Sequence, residues 1–210
     1  MRPAGTIAAM VTIVDYGSGN LRSVQKACER LGVPATITDD PARVAEAGRL
    51  VLPGVGAFGD AMRELARRGL IEPIRAHLRA DRPFFGICMG LQLLFETGWE
   101  GGRHEGLGAF AGDVARFDLP AGFKVPHMGW NTVRWRRDGN RFPLPADGSH
   151  FYFVHSYHAR PRDPDVVAAV SDYGGEFCAA VTRGRTFATQ FHPEKSQAVG
   201  LHLLDAFLSS

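Results

Sequence analysis

Cysteines, long apolar runs and an excess of one charge are all scarce in this sequence, and each absence excludes a class of protein. The only cysteines, Cys28, Cys88 and Cys178, lie far apart and form no CxxC pair, so neither a disulfide framework nor a cysteine zinc site is expected. No stretch approaches the roughly 18 consecutive apolar residues of a membrane-spanning helix. The 24 basic and 22 acidic side chains nearly balance, and the arginines are scattered, which argues against nucleic acid as a partner.

The chain has a length and composition that suit one domain. It contains 210 residues, of which 45% are hydrophobic, enough for a single globular α/β domain with a full core. We expect that domain to span residues 11–210. Residues 1–10 hold one arginine and no apolar run, and we expect a disordered lead-in or a misplaced start there. The unpaired cysteines favour a cytoplasmic location.

The first half of the chain alternates apolar strands with helices, and the second half is rich in short strands. Alternation of this kind predicts a parallel sheet with helices on both faces, whose ligands bind outside the carboxyl ends of the strands. The predicted fold class is therefore α/β: a three-layer, mostly parallel central sheet with helices on both faces and a β-rich C-terminal half. We predict strands at 11–15, 33–38, 49–52, 113–117, 132–136, 151–154, 166–171, 176–181 and 186–190, helices ending near 31, 47, 68, 79 and 208, and a surface loop at 98–112.

The segment PFFGICMGLQLLF, residues 83–95, is the most informative part of the sequence. A short apolar strand ends at Cys88, which has Gly86 and Gly90 two residues away on either side, and an apolar helix is predicted to follow. This spacing is typical of a nucleophile elbow, here with sulfur as the nucleophile. A thiol at the start of a helix is more easily deprotonated, and the thiolate is the reactive form. The alternative is that Cys88 is a small buried residue at a strand-to-helix junction.

Two further stretches could complete a catalytic site. Gly54 and Gly56 bracket Val55 after a predicted strand, and their backbone N–H groups could approach a ligand closely, as in an oxyanion hole, although a structural turn is an equal alternative. His192 precedes a proline, so it should be extended and face the same side as Glu194. A carboxylate that holds one imidazole nitrogen leaves the other for a nucleophile. The alternative for this pair is a surface ion pair on a capped loop.

Together these residues resemble the class I, triad-type glutamine amidotransferases, which have a flavodoxin-like fold. Further motifs are similar to those of one family within that class, the glutaminase subunits of imidazole glycerol phosphate synthases. The similarity covers nearly the whole chain from Val11. The motifs are GICMGLQ at 86–92, QFHPEKS at 190–196, PHMGWN at 126–131, DYGSGN at 15–20 and PGVG at 53–56.

The resemblance implies a role for each motif residue. Cys88 would attack the side-chain amide of glutamine and His192 would act as acid and then base, oriented by Glu194. The oxyanion would be bound by N–H groups around Gly54, Val55, Gly56 and Met89. The substrate would be held by Gln92, Glu100, His155, Ser156 and Tyr157. No cofactor is implied. No metal is implied either, since His155 and His158, three apart on one predicted strand, should point to opposite faces.

The resemblance also implies a partner. Ammonia would pass to a cyclase subunit with a (β/α)₈ barrel, in a heterodimer that makes imidazole glycerol phosphate and AICAR from the phosphoribulosyl-formimino-AICAR nucleotide in histidine biosynthesis. The interface would include Asn20, Trp130 and Asn131. The alternatives are the glutaminase of another synthase such as pyridoxal phosphate synthase, a free-standing gamma-glutamyl hydrolase or cysteine peptidase, and a non-catalytic scaffold. The motif around Trp130 speaks against the first, and the intact triad speaks against the last.

Overall fold

The computed structural model describes residues 10–136 and 143–210, so the predicted lead-in lies outside the described residues except for Met10. The elements of the first half are β1 (Val11–Val14), α1 (Leu21–Arg30), β2 (Ala35–Thr38), α2 (Pro41–Glu46), β3 (Arg49–Gly54), α3 (Phe58–Arg67), α4 (Ile71–Arg79), β4 (Phe84–Cys88) and α5 (Met89–Gln92). Those of the second half are β5 (Phe95–Gly98), β6 (His104–Glu105), β7 (Phe110–Arg116), β8 (His127–Thr132), β9 (Arg134–Trp135), β10 (His150–His155), β11 (Tyr157–Pro161), β12 (Val167–Asp172), β13 (Glu176–Arg183), β14 (Thr186–Thr189) and α6 (Gln197–Leu208). Short 3-10 turns lie at Pro164–Val166 and Pro193–Lys195.

The central sheet has eight strands in the order β2-β1-β3-β4-β14-β13-β12-β9. The strands from β2 to β14 pair in parallel, and the remaining three add antiparallel strands at the other edge. Two smaller sheets have the orders β11-β7-β5-β6 and β10-β8. The predicted α/β class, with its mainly parallel sheet and β-rich second half, is confirmed.

Apolar side chains on the two faces of the central sheet form two cores. Leu50 and Leu52 belong to the core that contains α3 and α4, whereas Val51 between them belongs to the core of α1 and α6, because successive strand residues point to opposite faces. On α1 the buried residues include Val24 and Cys28, one helical turn apart, which face the sheet. Helices therefore cover both faces, as predicted. Within the described ranges no helix is long and apolar enough to cross a membrane.

The chain after Cys88 differs from the apolar helix that the sequence predicts. α5 ends at Gln92 after four residues, and β5 begins at Phe95. Leu93, Leu94 and Phe95 are all fully buried, so this run has no polar face that would distinguish a helix from a strand. Pairing with β7 makes residues 95–98 a strand instead of a continuation of the helix.

Three other predicted boundaries are wrong. The predicted loop 98–112 contains β6 and the start of β7, because both strands pair with β5. The predicted strand 132–136 is divided between β8 and β9, which belong to different sheets. β11 was not predicted, and it pairs with β7. β7 and β11 pair with partners that are more distant in sequence, and β6 has only two residues, so local periodicity does not show these strands.

Candidate active site

The structure has the backbone geometry of a nucleophile elbow at Cys88. This residue ends β4 with a φ of 54°, a value that is strained for a residue with a side chain. A Cβ on Gly86 would lie 2.8 Å from the carbonyl oxygen of Gly90 and 2.9 Å from Cβ of Ala188. A Cβ on Gly90 would overlap the carbonyl oxygen of Leu52. Packing against the neighbouring strands therefore explains both glycines of the G-x-C-x-G pattern.

The sulfur of Cys88 lies in a buried polar environment. Sγ is 3.6 Å from Nε2 of Gln190 and 4.0 Å from the carbonyl oxygen of Val154. α5 is only four residues long, so its dipole is much weaker than that of the predicted helix. The donor that lies beside the sulfur is the side-chain amide of Gln190 rather than a long helix.

The predicted contact between His192 and Glu194 is confirmed. Nδ1 of His192 lies 2.8 Å from Oε1 of Glu194, and both side chains are almost fully buried. His192 is extended, as expected for a residue before proline. Its backbone N–H donates to the carbonyl of Tyr152 on β10 at 2.9 Å, and its carbonyl accepts from the Ser196 hydroxyl at 2.6 Å. The loop is thus fixed to β10 and to the start of α6.

The charge state of His192 follows from its neighbours. Burial disfavours the imidazolium, but hydrogen bonds and charges from Cys88 and Glu194 outweigh burial and raise the pKa of His192 to about 10. The ring is therefore protonated at neutral pH. Among the described residues Nε2 of His192 has no hydrogen-bond partner of normal geometry. Since Glu194 holds Nδ1, Nε2 is the nitrogen that can act on a substrate at Cys88.

The segment predicted to bind the oxyanion lies against the nucleophile. Gly54 ends β3 and pairs with Cys88 across the sheet. A Cβ on Gly54 would overlap the hydroxyl of Tyr16 and lie 2.8 Å from Cβ of Met89. Gly56 has a φ of 99°, which favours glycine. Backbone atoms can therefore approach the sulfur closely here.

The loop between β1 and α1 holds this segment from the outside. The Ser18 hydroxyl donates to the carbonyl of Val55 at 2.6 Å, and the Val55 side chain is 40% exposed. Asn20, a predicted interface residue, lies in the same loop, and its Oδ1 accepts from the Ser23 hydroxyl at 2.8 Å. The predicted interface loop and the predicted oxyanion segment are thus in direct contact.

A cavity of about 330 Å³ opens beside Cys88 and has room for a small ligand such as an amino acid. All five residues that the resemblance assigns to substrate binding line this cavity. Its other lining residues belong to the oxyanion segment, the elbow and β10, together with Pro126, which precedes β8. The lining consists of Val55, Gly56, Cys88, Met89, Gln92, Glu100, Pro126, Val154, His155, Ser156 and Tyr157. A larger cavity of about 650 Å³, which includes residues of α4 and the start of β14, contains none of the predicted site residues.

Two of the lining side chains are fixed by hydrogen bonds. Oε2 of Glu100 accepts from the first helical N–H of α3, that of Phe58, at 2.8 Å, so the carboxylate lies at the positive end of a helix. Nε2 of Gln92 donates to the carbonyl of Tyr157 at 3.0 Å and to Oε1 of Gln190 at 3.1 Å.

The expected placement of His155 and His158 on one strand is wrong. β10 ends at His155 and β11 begins at Tyr157, because the chain leaves one sheet for another at Ser156. The centroids of both imidazole rings lie close to that of the Phe117 ring, at 5.1 and 4.7 Å. No group of three His, Cys, Asp or Glu side chains that could hold a metal occurs in residues 10–136 and 143–210.

The predicted interface residues on β8 point in two directions. Trp130 is 47% exposed, and Met128, two residues earlier, is 66% exposed. The side chain of Asn131 points the other way, where Nδ2 donates to the carbonyl of Asp172 at 2.7 Å and lies 3.3 Å from Nε2 of His127.

Three buried polar residues near the site have no role that the sequence alone predicts. Gln190 contacts Cys88, His127 contacts His155, and the hydroxyl of Tyr16 lies beside Gly54 without a partner among the described residues. Burial and the charge of Cys88 raise the pKa of the Tyr16 phenol. The available signal was a polar side chain within an apolar run, since a buried polar group normally has a specific partner.

Fold and site together define an α/β protein with a strained cysteine at the end of a central strand and a buried histidine–glutamate pair. A family model described as "Glutamine amidotransferase class-I" matches residues 12–209, and the chain belongs to this family. Within it, the chain is 61% identical over 201 residues to the "Imidazole glycerol phosphate synthase subunit HisH" of Rhodopirellula baltica, covering 96% of this chain and 98% of that protein. A protein of the same name from Syntrophotalea carbinolica is 54% identical, with 94% and 98% covered.

Solved structures show the same fold at low sequence identity. A crystal structure of a glutamine amidotransferase aligns with a TM-score of 0.72 at 20% identity, covering 94% of this chain and 98% of that one. PurLQS from Thermotoga maritima aligns with a TM-score of 0.71 at 19% identity, covering 96% and 95%. These similarities support the class I glutamine amidotransferase fold.

Proposed function

We propose that this chain is the glutaminase subunit of an imidazole glycerol phosphate synthase in histidine biosynthesis. It hydrolyses glutamine to glutamate and ammonia through a thioester on Cys88. The observation that carries the proposal is the juxtaposition of the strained Cys88, the buried His192–Glu194 pair and a cavity of about 330 Å³. The names of the relatives support the choice of synthase.

In the first step, the thiolate of Cys88 attacks the carbonyl carbon of the glutamine side-chain amide. A carbon–sulfur bond forms, and the negative charge on oxygen is stabilised by N–H groups of residues 54–56 and Met89. Protonated His192 then gives its proton from Nε2 to the amide nitrogen. The carbon–nitrogen bond breaks, ammonia leaves, and a glutamyl thioester remains.

In the second step, the acidity of His192 changes because Cys88 is now acylated. The sulfur no longer carries the charge that raises the pKa of His192, so the neutral ring can take a proton from water. Hydroxide attacks the thioester, the carbon–sulfur bond breaks, and glutamate and the thiolate are released. Glu194 keeps Nδ1 protonated and directed, so Nε2 acts in both steps.

The cavity lining suits glutamine. The amide end would lie at Cys88, and Gln92 and Glu100 at the cavity wall would hold the substrate, with Glu100 available for the α-ammonium group. The backbone of His155, Ser156 and Tyr157 would bind its amino-acid end. No cofactor or metal takes part in these steps.

The partner is a cyclase subunit with a (β/α)₈ barrel, which docks on a surface that includes Asn20, Trp130 and Asn131 and receives the ammonia. The exposure of Trp130 and Met128 supports the assignment of this surface to the interface, since tryptophan is a common interface anchor. Because the β1–α1 loop contacts Val55, a partner that docks on this loop can change the position of the oxyanion segment. The heterodimer would work in the cytoplasm, where its cysteines stay reduced.

The test is a Cys88→Ala variant assayed in the complex with the cyclase, with glutamine or with ammonium salt as the nitrogen source. We expect glutamine-dependent synthesis to be lost and ammonia-dependent synthesis to remain, since only the nucleophile is removed. Cys178→Ala is the matched control, because Cys178 is also a buried free thiol but lies on β13, outside the site. Loss of both activities in Cys88→Ala would mean that Cys88 is structural.

Glutamate release by the isolated chain, by the complex, and by the complex with the nucleotide substrate tests the coupling to the partner. We expect a rise of about 10²–10³ on complex formation, the cost of one missing oxyanion donor. Equal rates in all three samples would favour the free-standing hydrolase.

A further inference from the structure

Gln190 is a fully buried polar residue that the mechanism above does not use. It follows β14 and precedes His192 by two residues, and its backbone N–H donates to the carbonyl of Ala179 at 2.8 Å. Its side-chain amide lies between Cys88 and Gln92, 3.6 Å from the sulfur and 3.1 Å from Nε2 of Gln92. One side chain therefore connects the nucleophile to a residue of the cavity wall.

The orientation of this amide follows from the groups around it. The carbonyl of Tyr157 can only accept, so the group of Gln92 that lies 3.0 Å from it is the NH₂ group. The same NH₂ group lies 3.1 Å from Gln190, which must present its oxygen there. The NH₂ group of Gln190 consequently points at the sulfur of Cys88. A donor in this position favours the thiolate over the thiol.

A second chain of hydrogen bonds ends on the same carbonyl of Tyr157. His155 must donate to it from Nδ1 at 2.9 Å, which leaves Nε2 of His155 as an acceptor for Nδ1–H of His127 at 3.0 Å. Nε2 of His127 then accepts from the Asn131 amide at 3.3 Å. Burial lowers the pKa of His127 to about 4 and, with smaller effects from neighbouring histidines, that of His155 to about 3. Both rings are neutral at neutral pH, so each hydrogen bond in this series has one defined donor and one defined acceptor.

We propose that Gln190 is a further residue of the catalytic site, whose amide N–H holds the Cys88 thiolate, and that the Tyr157 carbonyl fixes the direction of that donor through the amide of Gln92. The inference rests on the proposed function only in treating Cys88 as the nucleophile. It explains how a four-residue helix can follow the nucleophile: the amide donor of Gln190 lies beside the sulfur and supplies part of what a longer helix would supply. It also explains why Gln92 and Gln190 are amides within apolar runs.

The experiment measures alkylation of Cys88 by iodoacetamide against pH in the full chain, with the adduct located by mass spectrometry. Gln190→Met keeps the length of the side chain and removes the donor. Gln190→Glu keeps the size and an oxygen for Gln92, and places a carboxylate oxygen at the sulfur. Thr182→Val is the matched control, since it removes one partly buried hydrogen bond, to the carbonyl of Thr186, at the far end of β14.

We expect the pH midpoint of alkylation to rise by about one to two units in Gln190→Met, the shift that corresponds to one hydrogen bond to a charged group, and by more in Gln190→Glu. Alkylation at neutral pH should fall by about tenfold or more, and kcat for glutamine should fall more than KM rises. The midpoint of Thr182→Val should stay at the wild-type value. If a urea titration shows that Gln190→Met is not folded, the alkylation midpoint of Gln190→Glu tests the inference instead.

Midpoints within about 0.3 units of wild type in the Gln190 variants would overturn the inference, because such a shift is too small for a charged hydrogen bond. An equal shift in Thr182→Val would overturn it as well, because the shift would then arise from general destabilisation. Failure of the proposed function has a different signature, whatever the alkylation profiles show: the wild-type complex would not hydrolyse glutamine, or Cys88→Ser would hydrolyse it at the wild-type rate.

Discussion

Acid should destabilise this fold through His127 and His155, two rings that are buried in the neutral form. Their unfolded pKa is 6.5, and their pKa values in the folded chain are lowered to about 4 and about 3, mainly by burial. A group whose folded pKa lies below its unfolded value takes up a proton on unfolding when the pH lies between the two values. Stability is therefore lost as the pH falls from 6.5 towards the folded pKa values.

The size of the loss follows from these values. At about pH 7.5 neither ring is protonated in either state, so the contribution is close to zero. At about pH 5 each ring is protonated only in the unfolded chain, which costs about 2 kcal/mol per histidine, from 1.36 kcal/mol per pH unit over about 1.5 units. The sum of about 4 kcal/mol is large against a total stability of about 5–15 kcal/mol. His192 has a raised pKa, so its contribution to stability has the opposite sign and offsets part of this loss.

The variant His127→Phe isolates one of the two contributions. Phenylalanine keeps the stacking on Tyr173, whose ring centroid lies 4.1 Å away at 26°, and it cannot be protonated. At about pH 7.5 the variant should be less stable by about 1–3 kcal/mol, because the acceptor on His155 and the donor on Asn131 lose their partner. Its loss on going to about pH 5 should be smaller than that of wild type by about 2 kcal/mol.

Urea unfolding, followed by tryptophan fluorescence at the two pH values, gives both free energies. The control is the exposed His202 on α6, replaced by glutamine, which removes a histidine outside the buried pair. An equal loss of stability in wild type and His127→Phe would refute the reasoning, because it would mean that His127 is protonated equally in the folded and unfolded chains.

Two further predictions concern the catalytic groups. Glu194→Gln should lower kcat for glutamine less than His192→Ala does, since the glutamate orients the ring and exchanges no proton, and equal losses of several orders of magnitude would contradict the orienting role. Gly54→Ala should lower glutaminase activity by about 10²–10³, because its Cβ would overlap the Tyr16 hydroxyl and move the oxyanion segment. Adding Tyr16→Phe, which removes that hydroxyl, should restore part of the activity, and no recovery would place the strain elsewhere, for example at Met89.

The first three strands could be predicted closely because buried parallel strands show themselves locally. The predicted strand 11–15 is observed as Val11–Val14, and the predicted strand 49–52 as Arg49–Gly54. Each is an apolar run that ends at a polar residue or glycine at the carboxyl edge of the sheet. The elbow could be predicted for the same reason, since glycines at fixed distances from Cys88 reflect close approach of strand and helix backbones.

The helix predicted after Cys88 failed because its residues are buried on all sides. Leu91, Leu93, Leu94 and Phe95 are each fully buried, so they give no helical stripe, and a run of this kind cannot be distinguished from a strand. What ends α5 is the pairing of Phe95 with Phe110 in β7, a contact that propensity does not contain.

Sequence separation decides which parts of the site could be found. His192 and Glu194 are two residues apart, so the extended conformation before proline was enough to bring them together. Gln92 and Gln190 are 98 residues apart, and no local rule relates them. A single-sequence clue does remain, because an amide in the middle of a buried apolar run costs free energy unless its donors and acceptor are satisfied. Such a residue predicts that a partner exists without identifying it, and here the fold supplies the partner, the sulfur of Cys88, by placing β14 beside β4.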